Sequence, residues 1–240
     1  MRFKCKVSYD GTLFHGFQAQ NNQRTIQGVI EEALLEICKR KIRIHPSGRT
    51  DKGAHALGQV FHFDTEINIA DWSLKKAINS LLPSDVYIKD VKIASDDFHA
   101  RYDAKSKEYR YIIDLNEYNP LENNYRYFYK YKIDSKKIKD ASKIFVGRHD
   151  FNAFTKTKNK NTIRTIYSID FKTKNNVIYL DFHGDGFLHN MVRIIVGMLL
   201  EVGRGKIDKA DLKHILESKN RQLALKIVPA SGLYLVNVKY

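Results

Sequence analysis

The chain has 240 residues, 43% of them hydrophobic, enough to bury a sizeable core in one large domain or two small ones. Its 41 Lys and Arg against 27 Asp and Glu leave a formal net charge of +14, which argues against a handler of small neutral metabolites and for a polyanionic partner. No run is long and apolar enough to cross a membrane, and the opening Met-Arg-Phe-Lys-Cys-Lys lacks the apolar block of a secretion signal, so the expected location is cytoplasmic, with no membrane partner.

Residues 2 to 9 alternate, with Phe3, Cys5, Val7 and Tyr9 on one side and Arg2, Lys4, Lys6 and Ser8 on the other, which predicts a strand with one wet face. Thr25 is placed to cap a helix whose apolar face carries Ile26, Val29, Ile30, Ala33, Leu34 and Ile37. Gln59 to Asp64 reads as a strand, Trp72 to Leu82 as a helix and Val86 to Ile93 as a strand, with Leu82-Pro83-Ser84-Asp85 turning between the last two. Cys5 and Cys38 have neither a disulfide framework nor a metal-ligand spacing and are expected as buried free thiols.

A second series starts near Lys107, where Tyr109, Tyr111 and Ile113 alternate with Arg110 and Ile112. Tyr125 to Tyr131 alternates again, Asp134 caps a helix carrying Ile138, Ala141, Ile144 and Phe145, and 164–173 with 177–183 form a hairpin across Lys174-Asn175-Asn176. A strongly apolar helix from Met191 stops at Gly203, a short one follows Asp208, and a last strand begins at Leu233. The expected class is therefore α+β, built as an N-terminal domain over 1–104 and a C-terminal domain over 105–240, each a sheet covered by helices. The absence of a Pro- or Gly-rich linker predicts that the two pack closely around a shared basic cleft.

Chemistry concentrates in Gly48-Arg-Thr-Asp-Lys-Gly-Ala-His-Ala-Leu-Gly-Gln-Val60, a turn between a helical and a strand pattern, where a scaffold displays reactive side chains. Asp51 fits a helix cap or an Asx-turn as well as a reactive carboxylate, and Arg49, two residues away, is expected to share its face. The nine histidines show no metal spacing, His183 and His189 included, and Gly203-Arg-Gly-Lys206 reads as a helix stop.

The 48–60 segment closely resembles the active-site motif of the pseudouridine synthases, specifically of the tRNA pseudouridine synthase A family. Further matches follow in order: Ser8-Tyr-Asp-Gly11, Gly16-Phe-Gln-Ala-Gln20, Asp97-Phe-His-Ala-Arg101, Lys107-Glu-Tyr-Arg-Tyr-Ile112, Gly147-Arg-His-Asp-Phe151, Phe187 to Gly197 and Gly232-Leu-Tyr-Leu235. Phe17 departs from the family's usual tryptophan but keeps a ring, so its packing is expected to be preserved.

The resemblance implies the pseudouridine synthase fold, with two similar ferredoxin-like or RRM-like subdomains flanking a basic active-site cleft. It implies conversion of uridine to pseudouridine at positions 38–40 of the tRNA anticodon stem-loop, by a homodimer using no metal and no cofactor. It makes Asp51 the catalytic nucleophile, Tyr109 the ring that stacks on the base and handles protons, and Arg193 the basic partner of the aspartate. Arg49 would fill the space left by a flipped nucleotide, with Thr50 beside it at the substrate. The competing reading is a non-catalytic RNA-binding relative, against which the joint presence of Asp51, Tyr109 and Arg193 counts.

Overall fold

The computed structural model describes residues 1–156, 161–224 and 226–240. The expected α+β class is borne out, and the chain divides into two compact units, Met1–Lys105 with Tyr234–Tyr240, and Ser106–Leu233. Chain order alone puts the final strand with the second half, whereas its residues 234–240 group with the first unit.

The first unit runs β1 (Arg2–Tyr9), α1 (Ile26–Cys38), β2 (His45–Pro46), β3 (His55–Asp64), α2 (Asp71–Leu81) and β4 (Val86–Ala94). Its strands lie in the order β4-β1-β3-β2 with each neighbouring pair antiparallel, the split β-α-β arrangement of ferredoxin-like folds. β1 buries Phe3, Cys5, Val7 and Tyr9 on its inner face, as its alternation predicts, and burial pushes the Cys5 thiol pKa well up. Cys38, expected as buried, is only partly so.

Thr25 caps α1 by accepting the Gly28 N–H at 3.2 Å. β3 begins at His55, four residues before the apolar pattern suggests, and eight of its ten residues are buried. A strand covered on both faces loses the period-two signal, which is why its first half was unreadable. Beside it runs β10 (Leu233–Lys239), pairing in parallel with Tyr234 opposite His55.

The second unit runs β5 (Ser106–Asp114), β6 (Tyr127–Phe128), α3 (Ser135–Ser142), β7 (Gly147–Asp150), β8 (Ile163–Lys174), β9 (Val177–Gly184), α4 (Met191–Gly203) and α5 (Lys209–Ser218). The order β5-β9-β8, with α3 and α4 in the connections, repeats β1-β3-β2 with α1 and α2, and β7 extends the sheet beyond β8. The β8–β9 hairpin turns on Asn175 and Asn176, whose φ values of 51° and 58° suit a type I′ turn and the residue type that tolerates it. Only Tyr127–Phe128 of the alternating 125–131 stretch is strand. The alternation there aligns Tyr127, Tyr129 and Tyr131 in edge-to-face contacts at 5.6 and 5.5 Å rather than facing a sheet. α4 buries eleven of its thirteen residues and forms the core of this unit.

Candidate active site

Asp51 sits in the loop between β2 and β3, and its position is fixed from several sides. Its carbonyl accepts the Ala54 N–H at 3.1 Å, closing a four-residue turn over Asp51-Lys52-Gly53-Ala54. Gly53 has φ +78°, the value that the third residue of a type II turn requires and that glycine adopts without strain. At the N-terminal end of the loop the Gln59 side chain donates to the Gly48 carbonyl at 2.9 Å and accepts the Ser47 hydroxyl at 2.6 Å.

β1 and the loop after it supply the rest. The Tyr9 hydroxyl and Thr50 Oγ1 lie 2.7 Å apart in a buried hydrogen bond, and the Thr50 carbonyl accepts the Phe17 N–H at 3.2 Å. Gly53 N–H reaches back to the Phe14 carbonyl at 3.3 Å. Gly11 packs so closely on the same loop that a Cβ there would lie 1.9 Å from the Ala54 carbonyl oxygen, which only glycine avoids. The Gly11 N–H donates to His55 Nδ1 at 3.1 Å, and that imidazole stacks on Tyr234 with ring centroids 4.7 Å apart.

Arg24 in turn secures the 10–24 segment, with its guanidinium 3.9 Å from the centroid of the Phe14 ring and two hydrogen bonds to Asp85 at 2.7 and 2.9 Å. The outcome is a half-buried Asp51 carboxylate on an immobilised turn, with Thr50 buried and Arg49 exposed on the same turn. Phe17 is fully buried against Tyr9, at a ring distance of 6.3 Å, so the ring that replaces the usual tryptophan is a packing residue.

Two candidates lie in the second unit. Tyr109 is half-buried on β5, opposite Phe182 of β9, and meets the Phe187 ring edge to face at 5.1 Å. Arg193 lies on the first turn of α4 and is half-buried. Its Nε donates to the Val228 carbonyl at 2.8 Å and its Nη1 to Asn190 Oδ1 at 2.9 Å. Asn190, at φ +62°, begins the helix, and its amide oxygen serves the arginine rather than capping the helix N-terminus. These two bonds, to a backbone carbonyl and a side-chain amide, help to orient the guanidinium.

Sequence reasoning singled out Asp51 and its immediate neighbours but missed the bracing set of Tyr9, Gly11, Phe14 and Gln59. Two of its members stand in Ser8-Tyr-Asp-Gly11, where a tyrosine and a glycine two positions apart were the available signal. Among the described residues no three His, Cys, Asp or Glu side chains are grouped to hold a metal ion. His183, expected to be satisfied, has a buried Nε2 with no hydrogen-bond partner, its ring instead meeting Tyr167 edge-on at 5.1 Å.

The family described as tRNA pseudouridine synthase matches this chain over residues 6–103 and 141–240. Full-length relatives include tRNA pseudouridine synthase A 1 of Bacillus cereus, 45% identical over 100% of this chain and 98% of its own length. The tRNA pseudouridine synthase A of a Geobacillus species is 46% identical, with 98% of its length covered, and that of Bacillus subtilis 44%, with 99% covered. Among solved structures, a chain of a Cbf5-Nop10-Gar1 complex aligns at 13% identity with a TM-score of 0.36, over 83% of this chain and 54% of that one.

Proposed function

This chain belongs to the tRNA pseudouridine synthase family, and from that membership we propose that it isomerises uridine to pseudouridine at positions 38–40 of the tRNA anticodon stem-loop, with Asp51 as the reacting carboxylate. The observation that carries the reading is the Asp51 turn: a half-buried aspartate on a turn whose backbone is held by a surrounding set of hydrogen bonds, in a chain aligned end to end with synthases of this name. Breaking the bond between C1′ and N1 develops positive charge on the sugar. A carboxylate held still beside that carbon stabilises the charge or captures it, as glycosidase carboxylates do. The detached uracil then turns and rejoins through C5, which gives up its proton while N1 gains one, so the net isomerisation needs neither oxidant nor hydrolytic water.

The remaining roles follow the family resemblance. Tyr109, steadied by Phe187, offers a ring face for the base, and the resemblance assigns Arg193 the role of basic partner that keeps the aspartate ionised. Arg49, exposed on the Asp51 turn, is suited to occupy the space of a nucleotide drawn out of its stack, with the buried Thr50 fixing the backbone between them. A homodimer working on tRNA in the cytoplasm completes the reading. In its support, no helix among the described residues is long and apolar enough to cross a membrane. The experiment is to incubate the purified protein with unmodified tRNA transcripts and map pseudouridine nucleotide by nucleotide. Conversion confined to 38–40 is expected; a binding protein that leaves every uridine unchanged would contradict the reading.

A further inference from the structure

Beside the Tyr109–Phe187 pair the second unit carries a recess of about 520 Å³, lined by Arg148, Asn161, Ile163, Arg164, Thr165 and Asp185. We propose that this recess binds one backbone phosphate of the RNA strand whose base is presented to Tyr109, with Arg148 and Arg164 as its ligands. The proposal rests on the reading of the chain as a tRNA-modifying enzyme and adds where the strand is held.

Geometry supports it first. Arg148 on β7 lies opposite Thr165 of β8, and His149 opposite Arg164, so the two arginines stand in adjacent pairs on alternate faces of the ladder, and both line the recess. The floor is the turn leaving β9. Asp185 N–H donates to the Thr165 carbonyl and Asp185 Oδ1 accepts the Thr165 N–H, both at 3.0 Å. That pair turns the one lining carboxylate toward the backbone. Arg164 passes close to Gly186, its Nε 3.7 Å from where a Cβ would stand, and the next residue is Phe187. Phe187 is the ring against Tyr109. Three consecutive residues, 185 to 187, therefore join the recess to the proposed base platform.

Charge supports it next. Arg164 Nη1 is anchored on the Ile163 and Asn161 carbonyls at 2.5 and 3.4 Å, which fixes the guanidinium. Among the described residues its Nε and Nη2 make no hydrogen bond, and Arg148, exposed on β7, has no ion-pair partner. A pre-oriented planar fork can grip a phosphate with two parallel hydrogen bonds, and the exposed Arg148 lining the same recess adds a second positive charge.

The test compares wild type with Arg148→Ala, Arg164→Gln and the double variant, measuring unmodified-tRNA binding across a salt series together with kcat and KM. If both arginines hold one phosphate, each variant raises KM and Kd by about 3- to 30-fold. The slope of log affinity against log salt then falls by about 0.7 to 0.9, and the double variant loses no second unit of slope. A double variant with unchanged slope and affinity would overturn the proposal, as would a loss that falls on the saturated rate alone. Arg148→Ala, at an exposed position, reports even if Arg164→Gln fails to fold. Binding is read separately from turnover: a wild-type protein that binds tRNA through this recess yet forms no pseudouridine defeats the functional reading and leaves the phosphate site standing.

Discussion

At the scale of single residues, the Asp51 turn depends on side chains outside it, Tyr9 among them. Replacing Tyr9 with Phe leaves the buried Thr50 hydroxyl without its phenol partner at 2.7 Å. The expected loss is about 1 to 3 kcal/mol of stability. Turnover should fall more than tRNA affinity, a difference checked by urea unfolding alongside single-turnover assays. A second residue sets a pH dependence. His62 is 3% exposed and its Nδ1 accepts the Ala100 N–H at 3.1 Å, which keeps the imidazole neutral. Burial, followed by the neighbouring His99, His45 and Arg2 and opposed by Asp64, lowers its pKa to about 4. The unfolded chain takes up this proton near pH 6.5 and the folded one only near 4, so the stabilisation is complete above about 6.5 and is lost as the pH falls toward 4. Unfolding free energies between pH 7 and 4 should fall by up to about 1.4 kcal/mol per pH unit more steeply in wild type than in His62→Gln. Equal slopes would remove His62 from the account.

At the scale of elements, local chemistry was legible wherever a cap, a turn or a half-buried face left its mark. Thr25, Asp134 and Asp208 start α1, α3 and α5 as their side chains predict, Asp208 through a reciprocal capping box with Asp211. Asp134 accepts the Lys136 and Lys137 N–H groups at 2.9 and 3.2 Å, so Asp134→Ala should cost about 1 kcal/mol, measurable by thermal or urea unfolding. An unchanged midpoint would mean that packing alone holds α3. The misreadings have physical causes. β3 is covered on both faces and shows no alternation before Gln59, whereas of the alternating Tyr125 to Tyr131 only Tyr127–Phe128 pairs, with β5, and the rings of Tyr127, Tyr129 and Tyr131 meet edge to face. β7 is four residues long and largely polar, so no periodicity announces it.

At the scale of the whole molecule, the sequence displayed the proposed reacting group but not its supports. Asp51 stands in a run whose residue types declare a special turn, and Tyr109 and Arg193 stand in segments that match a known pattern. Nothing in the spacing of Gly11 and Ala54, or of Tyr9 and Thr50, reveals that they meet, because those contacts join residues more than forty positions apart through the register of β1 on β3. The same holds for the two arginines of the recess, sixteen positions apart in sequence, which stand in adjacent pairs of the β7–β8 ladder and line one recess. Charge, by contrast, is a property of the entire chain. The net +14 makes phosphate contact the main source of RNA affinity, which is why catalysis and binding should separate cleanly. The most direct measurement is single-turnover formation of pseudouridine in an unmodified tRNA transcript by wild type, Asp51→Asn and Asp51→Ala, with tRNA affinity determined for each. The account predicts conversion by wild type alone, with affinities of the three within about tenfold; turnover above a few per cent of wild type in a rigorously purified Asp51→Ala protein would contradict it.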